Sequence, residues 1–137
     1  MVRPKSIRLF ELFYLGSVLV EAVNTAMTWA ETNTNPQTMQ VKQMLGPWFP
    51  ALLTVFTFTL WLLLWYFAAR ARSNIARWAI AILYVLGLIG FVFSLTVGGA
   101  QAAVPLGLSV VSLILTTLAV VCLFRRDASA WFGASAC

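Results

Sequence analysis

The chain has 137 residues, 61% of them hydrophobic and 9% charged, where soluble domains run at about a quarter charged. So little polar chain leaves no room for a separate soluble domain. The formal net charge of +5 does not indicate a nucleic-acid partner, because the basic residues gather at one side of the apolar segments.

Four apolar stretches, at about 7–30, 48–69, 77–97 and 105–124, each reach the roughly 20 residues that a helix needs to cross a bilayer. They predict an all-α membrane protein. The expected architecture is an up-down four-transmembrane-helix bundle in one domain, 1–137, with both termini cytoplasmic. Ser6, just after Pro4, is the expected N-cap of the first helix. That segment is longer than a signal peptide and is interrupted by Glu11 and Glu21, so it is expected to be retained. Glu11 is expected to pair with Arg8, three residues before it.

The link that follows reads ETNTNPQTMQVKQMLGP. Asn35-Pro36 is an N-cap and first-turn proline, which predicts a short helix over Pro36–Leu45. Met39, Met44 and Leu45 would face the bilayer, and Gln37, Gln40 and Gln43 water. Gly46-Pro47 would end it. The second apolar segment is bracketed by Trp48 and Trp65-Tyr66, and Trp29 and Trp78 flank the first and third. These positions fit aromatic belts at the headgroup level.

RARSNIAR joins the second and third segments closely enough to make them antiparallel neighbours. GGAQAAVP, uncharged and led by Gly98-Gly99, joins the third to the fourth, which Pro105 can open. Gly90, Ser94 and Gly98 fall four apart, and Ser109, Ser112 and Thr116 recur at three-to-four spacing. Small residues let membrane helices approach closely, so these two faces are expected to meet. Arg3, Lys5, Arg8, Arg70, Arg72, Arg77, Arg125 and Arg126 all fall on one side, with only Lys42 on the other. The positive-inside rule makes the basic side cytoplasmic.

The chemistry concentrates in the first helix. At about 100° per residue, Tyr14, Ser17, Glu21, Asn24, Thr25 and Thr28 share one stripe. Leu12, Leu15, Leu19, Val23 and Ala26 lie opposite. Glu21 therefore looks into the bundle or into a subunit interface. It lies about 21 Å along the helix from Ile7 at 1.5 Å per residue, where a charged acid costs roughly 2.5–3.5 kcal/mol on insertion scales. Two arrangements resolve that cost. Glu21 is protonated and donates to Asn24, Tyr14, Thr54 or Thr57, or it faces a wet cavity and binds protons or cations.

The chain contains no histidine, and its only aspartate is Asp127. There is no nucleophile–base pair, metal-ligand cluster or phosphate-binding glycine loop. Glu11 and Glu21 lie about 15 Å apart along one helix, too far to share a reacting group. Cys122 and Cys137 have no metal or redox spacing. The sequence thus predicts no enzyme, no metal and no cofactor.

YLGSVLVEAVNT, residues 14–25, resembles the first helix of small multidrug resistance transporters. There a tyrosine-leucine-glycine run leads to a membrane glutamate and a glycine-threonine pair. The resemblance implies that Glu21 is a proton- and drug-binding acid. The spacing from Tyr14 to Glu21 is one residue shorter, Asn24 replaces the glycine, and RARSNIAR stands where that family has an uncharged link. RPKSIRLFELFYL and ARSNIARW resemble recurring segments of small uncharacterised bacterial four-helix inner-membrane proteins, which implies that location and no particular activity. Two functions are expected. The first is a non-enzymatic interaction or accessory subunit, packed as a homo-oligomer or in a larger membrane complex. The alternative is a proton-coupled carrier of small molecules or cations working through Glu21.

Overall fold

The structure, a computed structural model, describes residues 3–97 and 103–133. Gly98, Gly99 and Cys137 lie outside them. The described residues form six helices: α1 (Lys5–Thr34), α2 (Pro36–Leu45), α3 (Phe49–Ala69), α4 (Asn74–Val97), α5 (Ala103–Leu123) and α6 (Arg126–Gly133).

Three of them, α3, α4 and α5, are long and apolar enough to cross a membrane. This corrects the expected bundle of four transmembrane helices. The first apolar segment does form a single helix, α1, of 30 residues. Glu11, Glu21, Glu31, Lys5, Arg8, Asn24 and Asn33 make it too polar to qualify as a span. In α3–α5, long apolar runs leave their backbone groups no partner in lipid except one another, which forces the helix.

α2 forms with the expected bounds. The Asn35 side chain accepts from the Gln37 N–H at 3.1 Å, Pro36 occupies the first turn, and Gly46 ends the helix with φ 104°. That left-handed conformation suits glycine, and a Cβ there would meet the Trp48 indole nitrogen at 2.6 Å.

α1 runs antiparallel to α5. Ser6 meets Asp127, Gly16 lies against Leu115 and Asn24 meets Ser109. α4 is also antiparallel to α5, since Tyr84 bonds Thr117 and Trp78 stacks edge-on to Phe124. Burial concentrates at the basic end. There Ile7, Phe10 and Tyr14 of α1 pack with Ala68 and Ala69 of α3, Ala76 and Ile80 of α4, and Ala119, Cys122 and Leu123 of α5. Small residues from α3, α4 and α5 let the helices converge at this end.

α6 closes the basic end, where the sequence showed only a tail. It buries Ala128, Trp131 and Phe132, a three-to-four spacing on one face. Arg72 lies 4.1 Å from the Trp131 ring centroid, and Arg77 donates to the Ser129 hydroxyl at 3.1 Å. Ser6 is not the N-cap of α1: the helix begins at Lys5, and Pro4 supplies no side-chain cap. Asp127 serves instead, with its Oδ2 accepting from the Ser6 hydroxyl at 2.6 Å and lying 3.4 Å from the Ser6 amide. Glu11 pairs with Arg3 at 3.0 Å and lies 3.7 Å from Arg70, not with Arg8 as expected, so it ties α1 to α3.

The Ser6 hydroxyl bond holds the Asp127 carboxyl below the usual carboxylate range. Its folded pKa is therefore lower than the unfolded value of about 3.9. The stability it contributes is complete above the unfolded value and is lost as pH falls through the folded one. Hydrogen exchange of the α6 amides should be flat from pH 7 to 5, after correction for intrinsic rates, and should quicken only below about pH 4. Asp127→Asn should remove that acid step. An identical acid step in the variant would assign it to another group.

Candidate functional site

Beyond the basic-end core the helices part around a cavity of about 240 Å³. Tyr14, Ser17 and Glu21 of α1 line one wall, with Trp61 of α3, Tyr84 and Phe91 of α4, and Ser109, Ser112 and Thr116 of α5 completing it. Glu21 is the one carboxylate on this wall, and no lysine or arginine shares it. Glu21 has no hydrogen bond or ion pair among the described residues. Thr54 and Thr57, two expected partners, donate to their own backbone at Pro50 and Leu53.

The polar stripe of α1 divides. Tyr14 donates to the Trp61 carbonyl at 2.9 Å, which joins α1 to α3 at the cavity floor. Ser17 donates to the Tyr14 carbonyl at 2.8 Å. Asn24 turns toward α5, where its Nδ2 donates to Ser109 Oγ at 3.1 Å, and its Oδ1 is buried with no donor. Thr25 borders a separate cleft with Thr54, Thr57 and Phe58 of α3. Thr28 donates to the Asn24 carbonyl. The structure thus brings Tyr14, Ser17 and Glu21 to one cavity and leaves Asn24, Thr25 and Thr28 outside it.

The expected contact between the two small-residue faces does not form at Gly90. A Cβ built on Gly90 meets nothing within 4 Å, and Ser94 bonds its own helix at the Phe91 carbonyl. Gly98 lies outside the described residues. Ser109, Ser112 and Thr116 instead border the cavity, because α5 packs most closely on α1. Trp61, Tyr84 and Phe91 are wall residues that sequence reasoning missed. Tyr84 is the one polar side chain between Trp78 and Ser94 of α4, and that was the signal available. Gly90→Ala should be neutral or stabilising by up to about 1 kcal/mol, the helix-propensity difference between the two residues, as read from thermal unfolding in detergent. A clear loss of stability would place another helix against Gly90.

Fold and cavity together define a helical protein with three membrane-crossing candidates and one carboxyl group on the wall of a half-open cavity. Comparison with protein-family models, curated proteins and solved structures gives no match.

Proposed function

We propose that this is a non-enzymatic, multi-pass protein of a bacterial inner membrane that binds a small cationic or polar solute in its central cavity and exchanges it for protons at Glu21. One observation carries the reading: a carboxylate on a cavity wall, between the levels of Ser109 and Leu115 of the membrane-crossing candidate α5, has no partner among the described residues. An intramembrane acid facing a water-filled space is a functional site by default, and aromatic and hydroxyl groups around it suit a small organic solute. The basic end, with Arg3 and α6, faces the cytoplasm. The likeness of residues 14–25 to multidrug transporters points the same way.

The test is ion exchange in proteoliposomes. With an acidic interior and a trapped pH dye, adding small organic cations outside should collapse the gradient much faster in protein-containing vesicles than in protein-free ones, where primary amines enter only as the neutral base. No response to any cation in a broad panel would contradict the carrier reading.

A second reading, an accessory or self-associating subunit, is favoured by α4, where a Cβ built on Gly90 meets nothing within 4 Å and Gly90 does not line the cavity. Another helix could approach closely there. Under this reading Gly90→Leu should release a partner or a second copy in mild detergent, and an unchanged assembly would exclude this face.

A further inference from the structure

The chemistry of the solute can be narrowed by following the hydroxyl protons, an inference that rests on the cavity being a solute site. Six hydroxyls line it: Tyr14, Ser17, Tyr84, Ser109, Ser112 and Thr116. Each carries one proton and two acceptor lone pairs. Tyr14 gives its proton to the Trp61 carbonyl, Ser17 to the Tyr14 carbonyl and Thr116 to the Ser112 carbonyl. Tyr84 and Thr117 lie 2.7 Å apart. The Thr117 proton goes to the Leu113 carbonyl, so Tyr84 must be the donor between them.

Four of the six protons are therefore committed, and the oxygens keep lone pairs. Only Ser109 and Ser112 retain an uncommitted proton, and Ser109 also accepts from Asn24. The Glu21 carboxylate adds acceptors and no donor. The wall is thus rich in acceptors, and no lysine or arginine stands against its one carboxyl group. It complements a cation with N–H groups to give.

We infer that the cavity selects a primary ammonium, with its three N–H donors, over a quaternary ammonium of the same charge. A quaternary cation would satisfy Glu21 by charge alone and would leave the hydroxyl oxygens without donors, a desolvation cost that discriminates strongly in buried sites.

Hexylammonium and propyltrimethylammonium are isomers of equal charge and test this directly. Calorimetric titration of the purified full chain in detergent should show hexylammonium binding at least about tenfold tighter, the effect of one charged hydrogen bond. Ser17→Ala with Thr116→Val should shrink that preference severalfold while the protein still binds both cations. Equal affinities, or tighter binding of the quaternary isomer, would overturn the inference and leave the cavity standing as a cation site. Binding of neither isomer by the wild-type chain would overturn both this inference and the solute-binding reading beneath it.

Discussion

Replacing Glu21 by glutamine is expected to leave a folded protein whose affinity for a small cation falls by about 10- to 100-fold, the range of a charged hydrogen bond worth about 1.5–3 kcal/mol. The amide keeps the shape of the acid and removes its charge. No bond within the described chain depends on the carboxylate, so folding loses no partner. The neutral side chain also sits more easily at membrane depth. Thermal unfolding should therefore be unchanged or slightly later, while titration calorimetry shows the loss of binding. The two readouts must separate. A variant that unfolds early, with binding lost only in proportion, would make Glu21 a structural acid. The same substitution should abolish cation-driven collapse of the pH gradient in vesicles, because glutamine holds no exchangeable acidic proton.

The second large effect belongs to α6. Trp131 is 9% exposed and packs into the basic-end core. Trp131→Ala should cost about 3 kcal/mol, the lower end for deleting a buried aromatic. The helix has eight residues, so the loss should appear as local opening and leave the rest of the fold in place. Tryptic cleavage after Arg125 and Arg126 reads that opening. Where opening is fast relative to cutting, the rate follows the population of the open form. It should rise by about a hundredfold, since each 1.4 kcal/mol is about a factor of ten. Trp131→Phe supplies the contrast. The Trp131 indole N–H is buried without an acceptor, so phenylalanine removes an unsatisfied donor and keeps most of the packing. Its cleavage rate should stay within a few-fold of the wild type. Equal rates in all three proteins would show that α6 is not held by this side chain.

The parts of this structure legible in the sequence are those governed by local rules. Long apolar runs yielded α3, α4 and α5 nearly to their ends, and Asn35-Pro36 with Gly46 marked α2 at both boundaries. The polar stripe of α1 separates Glu21 from the leucines, and in the structure Glu21 lines the cavity while Leu12 and Leu19 are exposed. What could not be read was which helix faces which. Ser109, Ser112 and Thr116 matched Gly90 and Ser94 in spacing, yet α5 turned those hydroxyls to α1 and the cavity. Small-residue spacing describes a face and does not name its partner. α6 was missed for a related reason. Its helical face rests on only Ala128, Trp131 and Phe132, and these gain meaning only once α1 and α5 form the floor they cover. Glu11 followed the same pattern in part, since Arg70 comes within reach only when α1 meets α3, while Arg3 reaches it from the segment that leads into α1.

The central claim is that Glu21 faces water inside the protein. Thiol labelling tests it most directly. In a Cys122→Ala, Cys137→Ala background, Glu21→Cys and Leu19→Cys would each be reconstituted and exposed to a charged, water-borne thiosulfonate reagent. Leu19 is 67% exposed on the outer side of α1, where lipid would surround it. Thiols ionise, and so react, only where water reaches them. The account predicts rapid modification of Glu21→Cys, slowed by bound hexylammonium, and little modification of Leu19→Cys. An unreactive Glu21→Cys, or equal reactivity at the two positions, would contradict it.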